Sequence, residues 1–165
     1  VGEDGPTHSG NYDIAFLRCI PNIILMSPSD ENETRALLSS AFHYSGPAAV
    51  RYPRGSGPNA KVNLDLKPIE IGKANLIKKG DPKVIFLNFG ALLHEAKLVA
   101  DELNLTLIDM RFIKPLDEEI LRTFLTSADL FISLEDGSIA GGAGSAVQEF
   151  CSKAVSYTHL TLPTT

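Results

Sequence analysis

The chain has 165 residues, room for about one domain at the common ~150 residues per domain. Hydrophobic residues make up 44% and charged residues 21%, a balance that supports a packed core and excludes a disordered chain. No apolar run reaches the ~18 residues of a membrane-spanning helix, and a net charge of -5 argues against a nucleic-acid partner.

In chain order, the sequence opens on Val1 inside a polar loop, from which we expect a fragment of a longer protein. Ile23-Ile24-Leu25-Met26, bounded by Pro21 and Pro28, reads as a short buried strand. Ser29 or Asp30 then caps a helix whose acidic first turn suits the positive end of the dipole, and Asp30 with Glu33 has capping-box spacing. That helix is expected to run to about Tyr44, burying Leu37, Leu38, Ala41 and Phe42, and to stop at Ser45-Gly46-Pro47. A strand over residues 48–52 ends at Pro53, and the turn-rich residues 55–68 read as a linker between domains.

From residue 69 the pattern becomes regular. Residues 69–78 alternate like an edge strand or hairpin arm, and residues 84–89 form an apolar run typical of a strand covered on both faces. A helix over 92–103 places Leu92, Ala96, Val99 and Leu103 on one stripe. A strand over 105–110, a helix over 117–127 with Ile120, Leu121, Phe124 and Leu125 inward, a strand over 130–134 and a helix near 145–153 follow. Alternation of this kind predicts an α/β fold with a mainly parallel sheet. The Thr-rich residues 155–165 carry no amphipathic stripe and read as a non-native tail of vector or adapter type.

Several residues could carry chemistry. Asp4 and His8 lie four apart on a Gly/Pro-shaped loop, which can aim both into one cleft for proton transfer or use both in turn hydrogen bonds. Arg51 and Arg54 stand near the end of a strand, where guanidinium groups bind an anion or pair with carboxylates. Gly141-Gly142-Ala143-Gly144 precedes a helix like an anion-binding start, but its spacing favours a tight turn or close subunit contact. Glu135 and Asp136 read as solvated turn residues. Asp109 and Arg111 are expected to tie down the loop they occupy, with Asp117 capping the next helix. Cys19 and Cys151 have no metal-ligand spacing or adjacent base and are expected to pack as small apolar residues; His43 and His94 read as surface or boundary residues.

Together, Glu3-Asp4-Gly5-Pro6-Thr7-His8, Leu17-Arg18-Cys19-Ile20-Pro21-Asn22, Pro28-Ser29-Asp30-Glu31-Asn32-Glu33, residues 50–55, Asp109-Met110-Arg111-Phe112-Ile113-Lys114-Pro115-Leu116-Asp117 and residues 141–145 resemble the 1-deoxy-D-xylulose-5-phosphate synthases, thiamine-diphosphate enzymes of the transketolase superfamily. The Asp-Gly-x-Thr-His loop is common to transketolases; residues 51–55 and 109–117 are more particular to the synthases. The resemblance implies residues 1–54 as the latter half of a pyrimidine-binding domain, 55–68 as the linker, and 69–154 as most of a transketolase C-terminal domain. It implies condensation of pyruvate with D-glyceraldehyde 3-phosphate, with loss of carbon dioxide, toward isoprenoid, thiamine and pyridoxal precursors.

Carried over residue by residue, the resemblance implies that His8 protonates or hydrogen-bonds the reacting oxygens. Asp4 would hold an acceptor hydroxyl, and Arg54 the acceptor phosphate. The main residues for thiamine diphosphate and Mg2+ would lie upstream of Val1, leaving this chain inactive alone and without a metal ligand of its own. A homodimer in the bacterial cytoplasm or plastid stroma is also implied. Two other readings are another transketolase-type enzyme, such as transketolase or a 2-oxo acid dehydrogenase beta subunit, and a non-catalytic α/β pairing module.

Overall fold

The computed structural model describes Gly5, His8 and residues 10–65 and 67–159, with only the backbone described for 155–159. Its elements are α1 (Asp13–Leu17), β1 (Ile24–Met26), α2 (Glu31–His43), β2 (Ala48–Val50), β3 (Asn75–Lys78), β4 (Asp81–Phe89), α3 (Leu93–Glu102), β5 (Leu105–Asp109), β6 (Phe112–Lys114), α4 (Glu118–Leu125), β7 (Leu130–Glu135) and α5 (Ala143–His159).

The strands form two sheets. One has the order β3-β5-β4-β7, with β4 parallel to both β5 and β7 and β3 antiparallel at an edge. The expected edge arm is thus confined to its last four residues, since 69–74 are not strand. The helices between β4, β5 and β7 are the crossovers that parallel pairing requires. The other sheet, β2-β1-β6, joins chain segments far apart in sequence: β1 pairs parallel with β2 and antiparallel with β6. Neither β6 nor α1 stands out in the sequence.

Packing follows the same union. Ile14 and Leu25 are buried in one cluster with Ile85, Leu87, Phe89, Ile108, Met110, Leu121, Val147 and Phe150. Residues on both sides of the 55–68 stretch therefore share a single core, and Leu25, Ile85, Leu87 and Ile108 are fully excluded from water. A second cluster sets Leu37 of α2 against Ile24, Met26 and Phe112.

The helices bury narrower faces than their sequences suggest. On α2, Leu37 is buried, whereas Leu38 is half exposed and Phe42 is 86% exposed, because Glu33, Leu37 and Ser40 form the inward row. On α3 the inward residues are Ala96 and Ala100, packed on Phe86 and Leu107; Leu92, Val99 and Leu103 are exposed. Small alanines let α3 approach the sheet, which turns the larger residues outward. The caps follow expectation: Asp30 accepts from Glu33 N at 2.7 Å, and Asp117 from Ile120 N at 3.1 Å. Asp117 also accepts from Ala74 N at 2.9 Å, fastening the start of β3. The final helix continues to His159, beyond the expected 153.

The two faces of α2 make a direct test. Leu37→Ala should destabilise the chain by about 2–5 kcal/mol, whereas Phe42→Ala should change stability by about 0.5 kcal/mol or less, both read from urea unfolding.

Candidate active site and domain junction

His8 sits in an exposed turn in which its N–H donates to the Gly5 carbonyl at 3.2 Å; Asp4 lies outside the described residues. Arg54 is exposed in the bend that follows β2. What brings these two stretches together is Arg51. Its Nε donates to Asp13 Oδ2 at 3.0 Å and its Nη2 to the Gly10 carbonyl at 3.4 Å, tying the end of β2 to the loop two residues beyond His8. Asp136, after β7, adds a longer contact at 3.9 Å. Arg51 is thus a carboxylate-paired anchor. Beside Arg54, Tyr52, Pro53 and Gly55 line a groove of about 650 Å3 with Asp30, Arg35 and His94.

The glycine segment at the start of α5 is already capped from within. Glu135 accepts from Ala143 N, so it is a half-buried cap rather than a solvated turn residue. Burial pushes its carboxyl up, opposed by the N–H groups of Ala143 and Gly144 and by the charges of Arg51 and Arg18. A Cβ at Gly142 would lie 2.1 Å from the Glu135 carboxylate and 2.2 Å from the Ser138 carbonyl, so glycine is needed for close approach. Arg18 spans the same turn, donating to the carbonyls of Gly141 (2.8 Å) and Gly142 (3.1 Å) and to Glu149 (2.7 Å). The helix start holds a carboxylate of its own chain.

A second polar centre lies where β1 and α2 meet β4, β5 and β6. Glu33 is 9% exposed; its Oε2 accepts from Ser29 N (3.0 Å) and Ser29 Oγ (2.8 Å), and its Oε1 from Arg111 Nε (2.5 Å). The capping-box glutamate therefore turns back to Ser29, one residue before the cap, while its other oxygen reaches across to Arg111. Ser27 N donates to the Arg111 carbonyl at 2.8 Å. Gly90, at φ +102°, lets the β4 end pass so close that a Cβ there would lie 2.3 Å from Ser27 Oγ. Asp109 and Asn88 are buried beside this centre and hydrogen-bonded to each other at 3.1 Å. The tying role expected of Arg111 is thus played toward α2, a partner 78 positions away.

Cys19 is exposed and donates to the Ala15 carbonyl at 3.6 Å, so it is not a packing residue; Cys151 packs against the main core, and burial pushes its thiol up. His43 and His94 are exposed. No described helix is long and apolar enough to cross a membrane. Among the described residues no three His, Cys, Asp or Glu side chains are grouped to hold a metal ion.

This α/β arrangement defines a class. Residues 1–59 match the transketolase pyrimidine-binding domain and residues 72–165 the transketolase C-terminal domain, and the chain belongs to the transketolase family. Its relatives include 1-deoxy-D-xylulose-5-phosphate synthase of Hahella chejuensis (strain KCTC 2396), 58% identical over 150 residues, covering 91% of this chain and 23% of that protein. The synthase of Pseudomonas fluorescens (strain Pf0-1) is 52% identical over 166 residues, covering 99% of this chain and 26% of its own. The chain thus spans about a quarter of the length of the curated relatives it matches. Among solved structures, a split gene transketolase, an inactive beta4 tetramer, superposes with a TM-score of 0.77 at 29% identity, covering 89% of this chain and 50% of that one.

The anchoring role of Arg51 predicts a local effect. In Arg51→Ala, amides of α1 should exchange with deuterium about tenfold faster or more while those of β4 and β5 keep their protection, as read by hydrogen-exchange mass spectrometry.

Proposed function

We propose that this chain is a segment of a 1-deoxy-D-xylulose-5-phosphate synthase, and that the whole protein condenses pyruvate with D-glyceraldehyde 3-phosphate, releasing carbon dioxide. The reading rests on the 58% and 52% identity to synthases over 91% and 99% of the chain. In it, residues 1–54 serve the pyrimidine-binding domain, 69–154 the C-terminal domain and 55–68 the connection. The two bacterial sources favour a bacterial cytoplasm over a plastid stroma.

The roles are those that the family resemblance implies. Arg54, exposed after β2, offers a planar fork of donors to the acceptor's phosphate. His8, in the turn that Arg51 holds through Gly10, gives and takes a proton at the reacting oxygens. Asp4 accepts from a hydroxyl of the acceptor and fixes its register. Thiamine diphosphate supplies the electron sink that decarboxylation needs. In the proposal the main residues for thiamine diphosphate and Mg2+ belong to the rest of the whole protein, and this chain alone is inactive. The whole protein is proposed as a homodimer.

The test uses the whole protein. Carbon dioxide release from labelled pyruvate should depend on glyceraldehyde 3-phosphate; Arg54→Ala should raise the acceptor KM about 10–100-fold, and His8→Ala should lower kcat about 100-fold or more. Release independent of the acceptor, or a requirement for a ketose phosphate donor, would point to another transketolase-type enzyme. Unchanged turnover in both variants would favour a pairing module without catalysis.

A further inference from the structure

The contact between α2 and the end of β5 is one positive charge short. Asp109 closes β5 at 1% exposure; its Oδ1 accepts from Asn88 Nδ2, and its Oδ2 has no hydrogen-bond partner among the described residues. Glu33 faces it from α2, with both oxygens already engaged by Ser29 and Arg111. Two carboxyl groups therefore lie close together, one of them paired with the Arg111 guanidinium, in a place nearly closed to water. Glu33 takes three donors, whereas an ionised Asp109 would have only neutral ones, the Asn88 amide and the Ser29 hydroxyl that already donates to Glu33.

We propose that Asp109 and Glu33 share a single proton across this contact, held on Asp109, and that the proton fastens the C-terminal segment to the start of α2. Protonation converts Oδ2 from an acceptor without a donor into a donor, for which the Glu33 carboxylate is an acceptor of opposite need. Burial, then the Glu33 charge, pushes the Asp109 carboxyl well above the usual carboxylate range, with the Asn88 amide and the Ser29 hydroxyl acting the other way.

The surrounding groups leave the extra proton unreplaced. Among the described residues, β4 presents the neutral Asn88 to Asp109, β3 presents Asn75 beside it, and α3 presents Leu93. The groove of about 390 Å3 above the pair is bordered by further charges, each engaged elsewhere. Asp30 caps α2, Arg35 donates to the Asn63 carbonyl, and Asp65 pairs with Lys67 at 2.9 Å. Arg111 is committed to Glu33.

The idea is independent of the reaction proposed for the whole protein, because it is read on this chain without substrate. A carboxyl whose folded-state pKa is raised stabilises the fold fully below its unfolded value, and that contribution is lost as pH rises through the folded value. Between about pH 5 and about pH 9, the folding constant of the unsubstituted chain should fall relative to Asp109→Asn by up to about tenfold per pH unit within the titration window. The amide variant, a permanent mimic of the neutral acid, should lack that fall. Infrared spectra at neutral pH should also show a protonated-carboxyl stretch in the unsubstituted chain that disappears in Asp109→Asn, an assay that stands on the unsubstituted spectrum if the variant folds poorly. A spectrum with no such stretch, a pH-independent difference between the two chains, or stabilisation that tracks sodium or potassium concentration and marks a bound cation would each overturn the proposal.

Discussion

The seating of α2 on the end of β5 turns on the ion pair between Glu33 in the first turn of α2 and Arg111 between β5 and β6. Arg111 adopts φ +58°, a left-handed conformation that costs a residue other than glycine about 1 kcal/mol or more. That conformation presents the Arg111 carbonyl to Ser27 N while its guanidinium reaches Glu33. The next three residues form β6, which lies antiparallel on β1. Lys114, closing β6, donates to the carbonyls of Arg18 and Ile20, so the same excursion holds the chain after α1. A buried pair of this kind contributes less net stability than its distance suggests, and its main product here is a single seating of one segment on the other.

The first turn of α2 is used three ways, which explains its density of polar residues. Asp30 caps the helix, Glu33 turns inward to the junction, and Glu31 turns outward to accept from the N–H groups of Asn59 and Ala60. Asn32 and Arg35 extend that outward grip to Lys61 and Asn63. Backbone donors hold the Glu31 carboxyl below its ordinary range, partly offset by burial. The stretch with linker composition is accordingly laid along a helix. On the opposite side Arg18 and Arg51 perform a similar service, one spanning the glycine turn before α5 and the other holding the His8 loop near β2. The candidate site residues thus stand on loops positioned by guanidinium groups that are themselves fixed by carboxylates.

What the sequence discloses divides along the range of the forces involved. β1, α2, β4, β5 and α4 are legible because their signals are local: apolar runs bounded by proline or glycine, and capping residues at helix starts. The α/β class follows from their alternation. β6 is invisible because three residues become a strand only when β1 lies beside them, and α1 because five residues make too short a period to recognise. Leu38 and Phe42 have the right spacing for a buried stripe, yet the inward face is chosen by Glu33 and Ser40, whose partners Arg111 and Ile69 lie far along the chain. Glu135 looks like a turn residue until the glycines after it fold back onto its carboxylate. At the candidate site, the motif residues carry the resemblance on which the proposed roles rest, but the tethering role of Arg51 emerges only from its contacts with Gly10 and Asp13.

The central claim, that Glu33 and Arg111 act as one unit joining the two segments, is tested most directly by a double-mutant cycle. Glu33→Gln, Arg111→Met and the combined variant would be compared with the unsubstituted chain by equilibrium urea unfolding near neutral pH. The account predicts a coupling energy of about 1–3 kcal/mol, with either single change costing more than its share of the double. A coupling within about 0.3 kcal/mol of zero would contradict it, because the two side chains would then contribute independently.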